Sequence, residues 1–471
     1  MRTSRTSLAL AGTGAEAVRP RQNVSPADSW SRRAVAGLLF SAMPWLMRLA
    51  SAVSFRSIQV RGAERFPKRG PVLLVANHPA TWTDVLVLHV ALGRKLHFLA
   101  QEPLFRPTVR AWLLRLYGAL PVSSSGNAAE RGVRNERTLK RCRRLLERGE
   151  VIAIFPEGVS EVDRSILAFK PGAARIALDS CGSVRPLPVV PTGIHYVDRT
   201  AFRTHVVVSI GHPVRLPIPP ESEHIEGWIA ATTARLEDAV TRLILDLPDP
   251  RIRAAVEELA PLISCKPSSD PAGFRRSRCV ARWLLMLRGA RPADFASTLR
   301  HARRHRKLRE ALALEPLDVS DRSWVHQAGL VLSLVAGAPP ALIGLILNGP
   351  PALLAEHVAR RFDPTRVALA RIAAGAALFG LWYAVIVAGA AVVGRSLWVV
   401  LATLFATLAL AGCAVVWSDA WHDAHARFRW VQSWRSPRLM AQLRAERAAL
   451  LSVLEQTPAG RARSKAGETA G

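Results

Sequence analysis

Two uninterrupted apolar stretches decide what class of fold this chain can adopt. Ile372–Val393 runs 22 residues without a charge, and Leu397–Trp417 runs 21 more. A helix needs about 20 apolar residues to cross a hydrocarbon core of about 30 Å, so both qualify. Only Gly394-Arg395-Ser396 separates them, which predicts an antiparallel membrane hairpin. A third stretch, Ala328–Leu347, is equally apolar but carries Pro339-Pro340 at its middle. Proline removes a backbone donor and clashes with the preceding turn. That predicts a broken or re-entrant segment in place of a clean span.

The rest of the chain is basic. Among 471 residues, Lys plus Arg number 64 against 36 Asp plus Glu, a net charge of +28, and only seven of the cations are Lys. Such a balance suits nucleic acid or an anionic membrane surface. With 49% hydrophobic residues and two spans, the partner expected is anionic membrane lipid, with no nucleic acid. The same content excludes disorder throughout. The five cysteines are scattered, without CxxC or Cys/His spacing, so neither a disulfide framework nor a metal site is expected.

The length allows about three domains, and the pattern divides as follows. Residues 1–30 read as a disordered basic arm, with Leu8–Ala11 too short for a signal-peptide core. Residues 31–57 read as an interfacial membrane helix, because Ala34–Val53 is apolar yet carries Arg48, Phe40 and Trp45 behind Arg32 and Arg33. A buried core helix is the alternative there. From 58 to 247, short apolar runs (Pro71–Ala76, Leu96–Ala100, Ala119–Val122, Val151–Phe155, Leu187–Pro191, His205–Ile210) alternate with helical stretches (Thr83–Leu92, Thr108–Leu116, Ala129–Arg148, Gly172–Asp179). An amphipathic helix over Glu221–Leu247 follows them. This alternation predicts an α/β domain with a mostly parallel sheet. Residues 248–327 are helical and charged, and His301–Arg309 is the densest basic run. Such a run is either a solvated face or an attraction to acidic lipid, worth about 1 kcal/mol per cation near the surface. Residues 328–425 form the membrane region, a re-entrant segment plus two transmembrane helices, and 426–471 a basic tail, disordered at the end.

Chemistry concentrates at strand ends. His78 leaves the run Pro71–Ala76 directly, after Asn77, and Asp84 opens the next helix. In a parallel sheet both lie at the carboxyl edge, where ligands bind. A His held by a carboxylate makes a general base; the bland alternative is an N-capping Asp84 beside a surface His78. Phe155-Pro156-Glu157-Gly158 ends another strand in a tight turn that aims Glu157 over the sheet edge. Phe169-Lys170-Pro171-Gly172 then turns into a helix whose backbone donors, with Lys170 and Arg175, suit an anion. Val190-Pro191 ends a further strand.

Taken in order, these blocks resemble the glycerolipid acyltransferase family, the enzymes that acylate glycerol phosphate or lysophosphatidate. His78 and Asp84 match its His–Asp block, Phe155–Gly158 its FPEG block, Phe169-Lys170-x-Gly172 its basic turn and Val190-Pro191 its last block. The resemblance covers roughly residues 58–215. It implies an O-acyltransferase of phospholipid synthesis in which His78 deprotonates an acceptor hydroxyl and Asp84 orients His78. Asn77, Phe155, Pro156, Glu157, Gly158, Lys170 and Arg175 would bind substrate, Glu157 by positioning the acceptor's hydroxyls. No cofactor and no metal is implied. The acyl donor is acyl-CoA or acyl-ACP, which makes acyl carrier protein a candidate partner, and the expected place is the cytoplasmic side of a bacterial inner membrane.

Two departures bear on this. Five residues, Pro79 to Thr83, separate His78 from Asp84, where the family usually has four. The stretch Gly118–Ser125 also lacks the Arg that the family uses for acceptor phosphate. Arg131 or Arg134 then takes that role, or the acceptor carries no phosphate. The rival readings are acyl transfer to a non-phosphate lipid, a catalytically inactive membrane scaffold, and a lipid-binding accessory acting through residues 328–417. The positive-inside tendency favours both termini in the cytoplasm, with Arg395 as the single cation outside.

Overall fold

A computed structural model describes residues 45–455 apart from 107–110, 112–113, 116–117, 124–127, 159–165, 185, 220–223, 246, 248, 263–273, 313–323, 365, 395 and 433–435. The expected basic arm, most of the expected interfacial helix and the last part of the tail lie outside these residues. So does most of the expected helix over Thr108–Leu116.

Residues 47–54 are helical. The chain then enters β1 (Phe55–Arg61), β2 (Val72–Ala76), α1 (Trp82–Leu92), β3 (Leu96–Gln101), β4 (Leu120–Val122), α2 (Ala128–Glu147), β5 (Val151–Ile154), α3 (Gly172–Ser180), β6 (Val189–Tyr196), β7 (Thr204–Ile210) and α4 (Ile225–Thr241). The seven strands form one sheet in the order β1-β7-β6-β2-β5-β3-β4. Every pairing is parallel except β6 with β7. The domain is therefore the mostly parallel α/β sheet that the alternation predicts. One correction concerns its start. Residues 55–57 belong to β1, which pairs with β7 at the sheet edge, and not to the preceding helix. Ile58 and Val60 alternate with Gln59 and Arg61, a strand period that the long apolar run ahead of it obscures.

Strand β2 shows how the sheet is buried. Val72, Leu74 and Ala76 face one core with Val85, Val87 and Leu88 of α1. Leu73 and Val75 face the other, against Cys142 and Leu146 of α2, Ala174 and Ile176 of α3, and Leu236 of α4. Both faces are covered, as a βαβ sheet requires. Because β2, β5 and β6 are adjacent and parallel, the loops after them share one edge.

Beyond the sheet come α5 (Pro250–Leu259), α6 (Phe274–Ala290) and α7 (Pro292–Ala311). The chain continues as α8 (Trp324–Ala359), α9 (Val367–Gly394), α10 (Leu397–Gln432) and α11 (Pro437–Glu455). Leu450 and Leu454 of α11 pack in one cluster with Ile252 and Val256 of α5 and Val280 and Leu284 of α6. Part of the expected tail thus returns to the helical region. His301–Arg309 proves to be more than a solvated face. His305 and Glu258 are each 2% exposed, and the His305 Nδ1 lies 2.7 Å from Glu258 Oε1. Arg309 donates to the same carboxylate at 2.9 Å. His301 contacts Glu446 of α11 at 2.6 Å.

By length and composition, α8 over Leu332–Ala359, α9, and α10 over Leu397–His422 could each cross a membrane. The side-chain contacts separate the first from the others. Gly344 presses its bare Cα against the Leu410 carbonyl, and Trp417 Nε1 donates to Leu334 O at 2.9 Å. This part of α8 runs antiparallel to α10. Trp382 Nε1 donates to Leu347 O at 2.9 Å, Tyr383 donates to Asn348 Oδ1 at 2.7 Å, and Arg371 pairs with Glu356 at 2.6 Å. This part runs antiparallel to α9. Residue 382 lies 12 positions before the end of α9 and residue 410 lies 13 after the start of α10, and both meet the same part of α8, so α9 and α10 are antiparallel to each other. No straight helix can oppose both. The segment is helical from Trp324 to Ala359 and doubles back at Asn348-Gly349-Pro350-Pro351.

The sequence puts the break at Pro339-Pro340, and the structure moves it to the second proline pair. The physical reason is local. Pro350 and Pro351 suit the first turn of a returning helix, where backbone N–H groups have no partner anyway. The missing N–H of Pro351 would have served Leu347 O, and the Trp382 indole replaces it. Helix breakers are tolerated at membrane depth where neighbouring side chains satisfy the freed backbone in this way.

Candidate active site

His78 and Asp84 meet although six positions apart, with Nδ1 and Oδ2 separated by 2.9 Å. The extra loop residue is absorbed at Thr81, which takes φ 50°. That region is costly for a β-branched side chain, at about 1–3 kcal/mol. Thr83 Oγ1 donates to Ala80 O at 2.6 Å and steadies the turn. Asp84 is fully buried and satisfied from three sides. Besides the imidazole, Ala80 N donates to Oδ2 at 2.8 Å and the Tyr196 hydroxyl to Oδ1 at 2.8 Å. A carboxylate only accepts, so the imidazole Nδ1 carries its proton and Nε2 keeps the lone pair.

The FPEG turn packs directly on this pair. The Phe155 ring stacks on His78 with centroids 4.1 Å apart and planes 14° from parallel. Glu157, 7% exposed, accepts from the backbone N–H of His78 at 2.7 Å and of Leu167 at 3.2 Å. Burial pushes its carboxyl above the usual range, and those two N–H donors oppose the shift. One carboxylate oxygen therefore ties the turn to the His78 loop and the other ties it to the segment leading into α3, a task sequence reasoning did not assign. Pro156 O accepts from Lys170 N at 2.9 Å. Gly158 holds φ 75° with the Lys170 side chain lying over its Cα, where a Cβ would collide.

Asn77 is buried. Its amide donates to Ile194 O at 3.0 Å and accepts from Ile194 N at 2.7 Å, lashing the end of β2 to β6. Arg175 sits on α3, half exposed, 3.7 Å from Glu226 of α4. Arg134 is 3.6 Å from Glu102; the Arg131 side chain lies outside the described residues.

A cavity of about 390 Å³ opens beside His78. Its lining includes Asn77, His78, Pro79 and Glu157, the end of β6 from Ile194 to Arg199, and Arg253, Val256, Glu257 and Ser277 from α5 and α6. Lys170 and Arg175 are not part of it. Arg199, Arg253 and Tyr196 are, and sequence reasoning missed all three. They lie outside any strand-end motif, and Arg253 comes from a helix 175 positions downstream of His78.

The Acyltransferase family model matches residues 57–195. A chloroplast 1-acyl-sn-glycerol-3-phosphate acyltransferase of Arabidopsis thaliana is 28% identical over 30% of this chain and 38% of its own length. A lyso-ornithine lipid O-acyltransferase of Pseudomonas aeruginosa is 30% identical over 31% of this chain and 51% of its own. A 1-acyl-sn-glycerol-3-phosphate acyltransferase of Borreliella burgdorferi is 25% identical over 38% of this chain and 69% of its own. The chain spans about two fifths of the length of the first of these relatives. The matched stretch, residues 57–195, holds the His78–Asp84, FPEG, Lys170 and Val190-Pro191 blocks, and over it the chain is similar to glycerolipid acyltransferases.

Proposed function

We propose that this protein is a membrane-bound O-acyltransferase that moves a fatty acyl group from a thioester donor to a hydroxyl of glycerol phosphate or lysophosphatidate. The observation that carries the reading is the 2.9 Å His78–Asp84 contact, with His78 lining the cavity. His78 Nε2 takes the acceptor's hydroxyl proton while that oxygen bonds to the thioester carbonyl carbon. The C–S bond then breaks, and the departing sulfur recovers the proton from the imidazolium. One ester forms, one thioester is lost, and His78 returns to its starting state. Asp84 holds the ring and stabilises its transient charge. The step as written uses no cofactor; acyl-CoA or acyl-ACP serves as co-substrate.

The absence of an Arg from Gly118–Ser125 favours a second reading, transfer to a non-phosphate lipid hydroxyl. The membrane region supports either. We place the sheet on the cytoplasmic face of an inner membrane, with α9 and α10 crossing and α8 dipping in and back. The return of α11 to the helical region beside the sheet supports that arrangement.

The test is an acceptor panel with purified protein in detergent, following acceptor-dependent thiol release. Wild type should turn over at least one lysolipid or glycerol phosphate, and His78→Ala should lose about 10³-fold or more, as for removal of one member of a catalytic unit. A His78→Ala variant within tenfold of wild type would sink the mechanism.

A further inference from the structure

The resemblance expects an acceptor-binding Arg at the end of Gly118–Ser125. Leu120–Val122 of that stretch form β4, at the far edge of the sheet and three places from β2. The described cavity lies on the opposite side of His78, toward β6. Two guanidinium groups line it, Arg199 and Arg253. Each is held in place. Arg199 Nη1 donates to Pro79 O at 2.9 Å, on the residue that follows His78. Arg253 donates to Leu247 O from Nε at 3.2 Å and from Nη2 at 2.8 Å, which directs its Nη1 end away from that carbonyl. Planar guanidinium groups fixed this way suit phosphate or carboxylate oxygens.

The same loop meets the membrane segments. Immediately after Arg199, the Thr200 carbonyl accepts from Arg371 of α9 at 3.0 Å. Arg203 then grips Asp419 of α10 with Nε at 2.8 Å and a second nitrogen at 2.6 Å. The rim of the cavity is thus anchored at the end of the apolar hairpin, where a lipid headgroup resides and its tail enters the bilayer.

We propose that Arg199 and Arg253 bind the anionic headgroup of a lysolipid acceptor, and that Arg253 comes from a helix outside the family-matched residues. The inference rests on the acyl-transfer reading and specifies its acceptor. It also gives α5 a task, as one wall of the acceptor site.

Binding can be measured apart from turnover in a His78→Ala background, using lysophosphatidate, uncharged monoacylglycerol, glycerol 3-phosphate and a lyso-ornithine lipid. Lysophosphatidate affinity should fall at least tenfold with Arg253→Gln and with Arg199→Gln. Monoacylglycerol affinity should move less than twofold, which a merely structural role for either Arg would not produce. Arg253→Lys should recover part of the loss. Arg251→Gln, on the exposed side of α5, should change nothing. Tight lysophosphatidate with weak glycerol 3-phosphate identifies a lipid acceptor, and the reverse overturns the lysolipid assignment. A lyso-ornithine lipid that loses affinity in parallel extends the site to carboxylate headgroups; one that does not restricts it to phosphate. Equal losses for charged and uncharged lipids, or no loss, overturn the proposal. Absence of any acceptor-dependent turnover in the wild type would instead reject the acyl-transfer reading, whatever the binding result.

Discussion

The Tyr196 hydroxyl donates to Asp84 Oδ1 at 2.8 Å, joining residues 112 positions apart beneath the His78 ring. Tyr196 is itself buried, and burial, then the Asp84 charge, pushes its hydroxyl well above the usual range. In the proposed reaction it acts through Asp84, as a positioning residue. Tyr196→Phe removes one donor from a buried carboxylate, a loss of about 1–2 kcal/mol. We expect kcat to fall roughly tenfold, with acceptor KM little changed and the pH–rate profile displaced. An unaltered kcat and profile would reduce the contact to packing.

Glu157 carries a sharper test, because sequence and structure give it different jobs. If it positions acceptor hydroxyls, Glu157→Gln should raise KM. If it clamps His78 N and Leu167 N, the amide can accept only one of those bonds. The other N–H then faces a donor, at a cost of about 1–3 kcal/mol. The structure predicts a drop in kcat with KM nearly constant. A raised KM with kcat intact would restore the first reading.

Thr81 stores strain at φ 50°. Thr81→Gly relieves about 1–3 kcal/mol of it and gives back about 0.5–1 kcal/mol in chain entropy. Thermal unfolding should therefore shift upward by a few degrees. A lower midpoint would show that the loop is not strained.

Glu258 supplies a pH signature for the helical region. Burial works to raise its carboxyl, but bonds from His305 and Arg309 outweigh burial and hold it below the ordinary value of 4.5. A depressed carboxyl binds fewer protons folded than unfolded. Its stabilisation is therefore complete above pH 4.5 and is lost as pH falls through the lower folded value. Glu258→Gln should cost about 3 kcal/mol at neutral pH by leaving the largely buried Arg309 guanidinium unpaired. The gap in unfolding midpoint between variant and wild type should narrow below pH 4.5. A constant gap across the acid range would refute the assignment.

For topology, a reporter active only outside the cytoplasm should be silent when fused after Gly471 and active when inserted at Arg395. Activity after Gly471 would require α8 to cross fully.

Much of the fold was legible in the chain. Short apolar runs alternating with helical periods describe a parallel sheet because each β2 neighbour must bury both faces, and the match extends to the positions of six of seven strands. The missed strand, β1, lies at an edge where Phe55 alone is buried, so its hydrophobic signal is weak beside the apolar helix before it. Proline marked a break in α8, but two Pro pairs compete within it. The choice between them rests on Trp382 and Tyr383 of another helix, which no local pattern within α8 reports.

The site divides along the same line. His78, Asp84, Phe155 and Glu157 could be read because they leave adjacent strands within short loops, and the backbone path alone brings them to one edge. That Asn77 ties down Ile194, that Arg175 turns to Glu226 and that Tyr196 supports Asp84 follow from side-chain directions set by packing. Arg253 is the clearest case. Its helix carries no motif, and Arg253 shares a cavity wall with His78 only through the tertiary fold. Sequence determines which groups a short loop can present. Contacts between distant segments exist only once burial has chosen which faces meet.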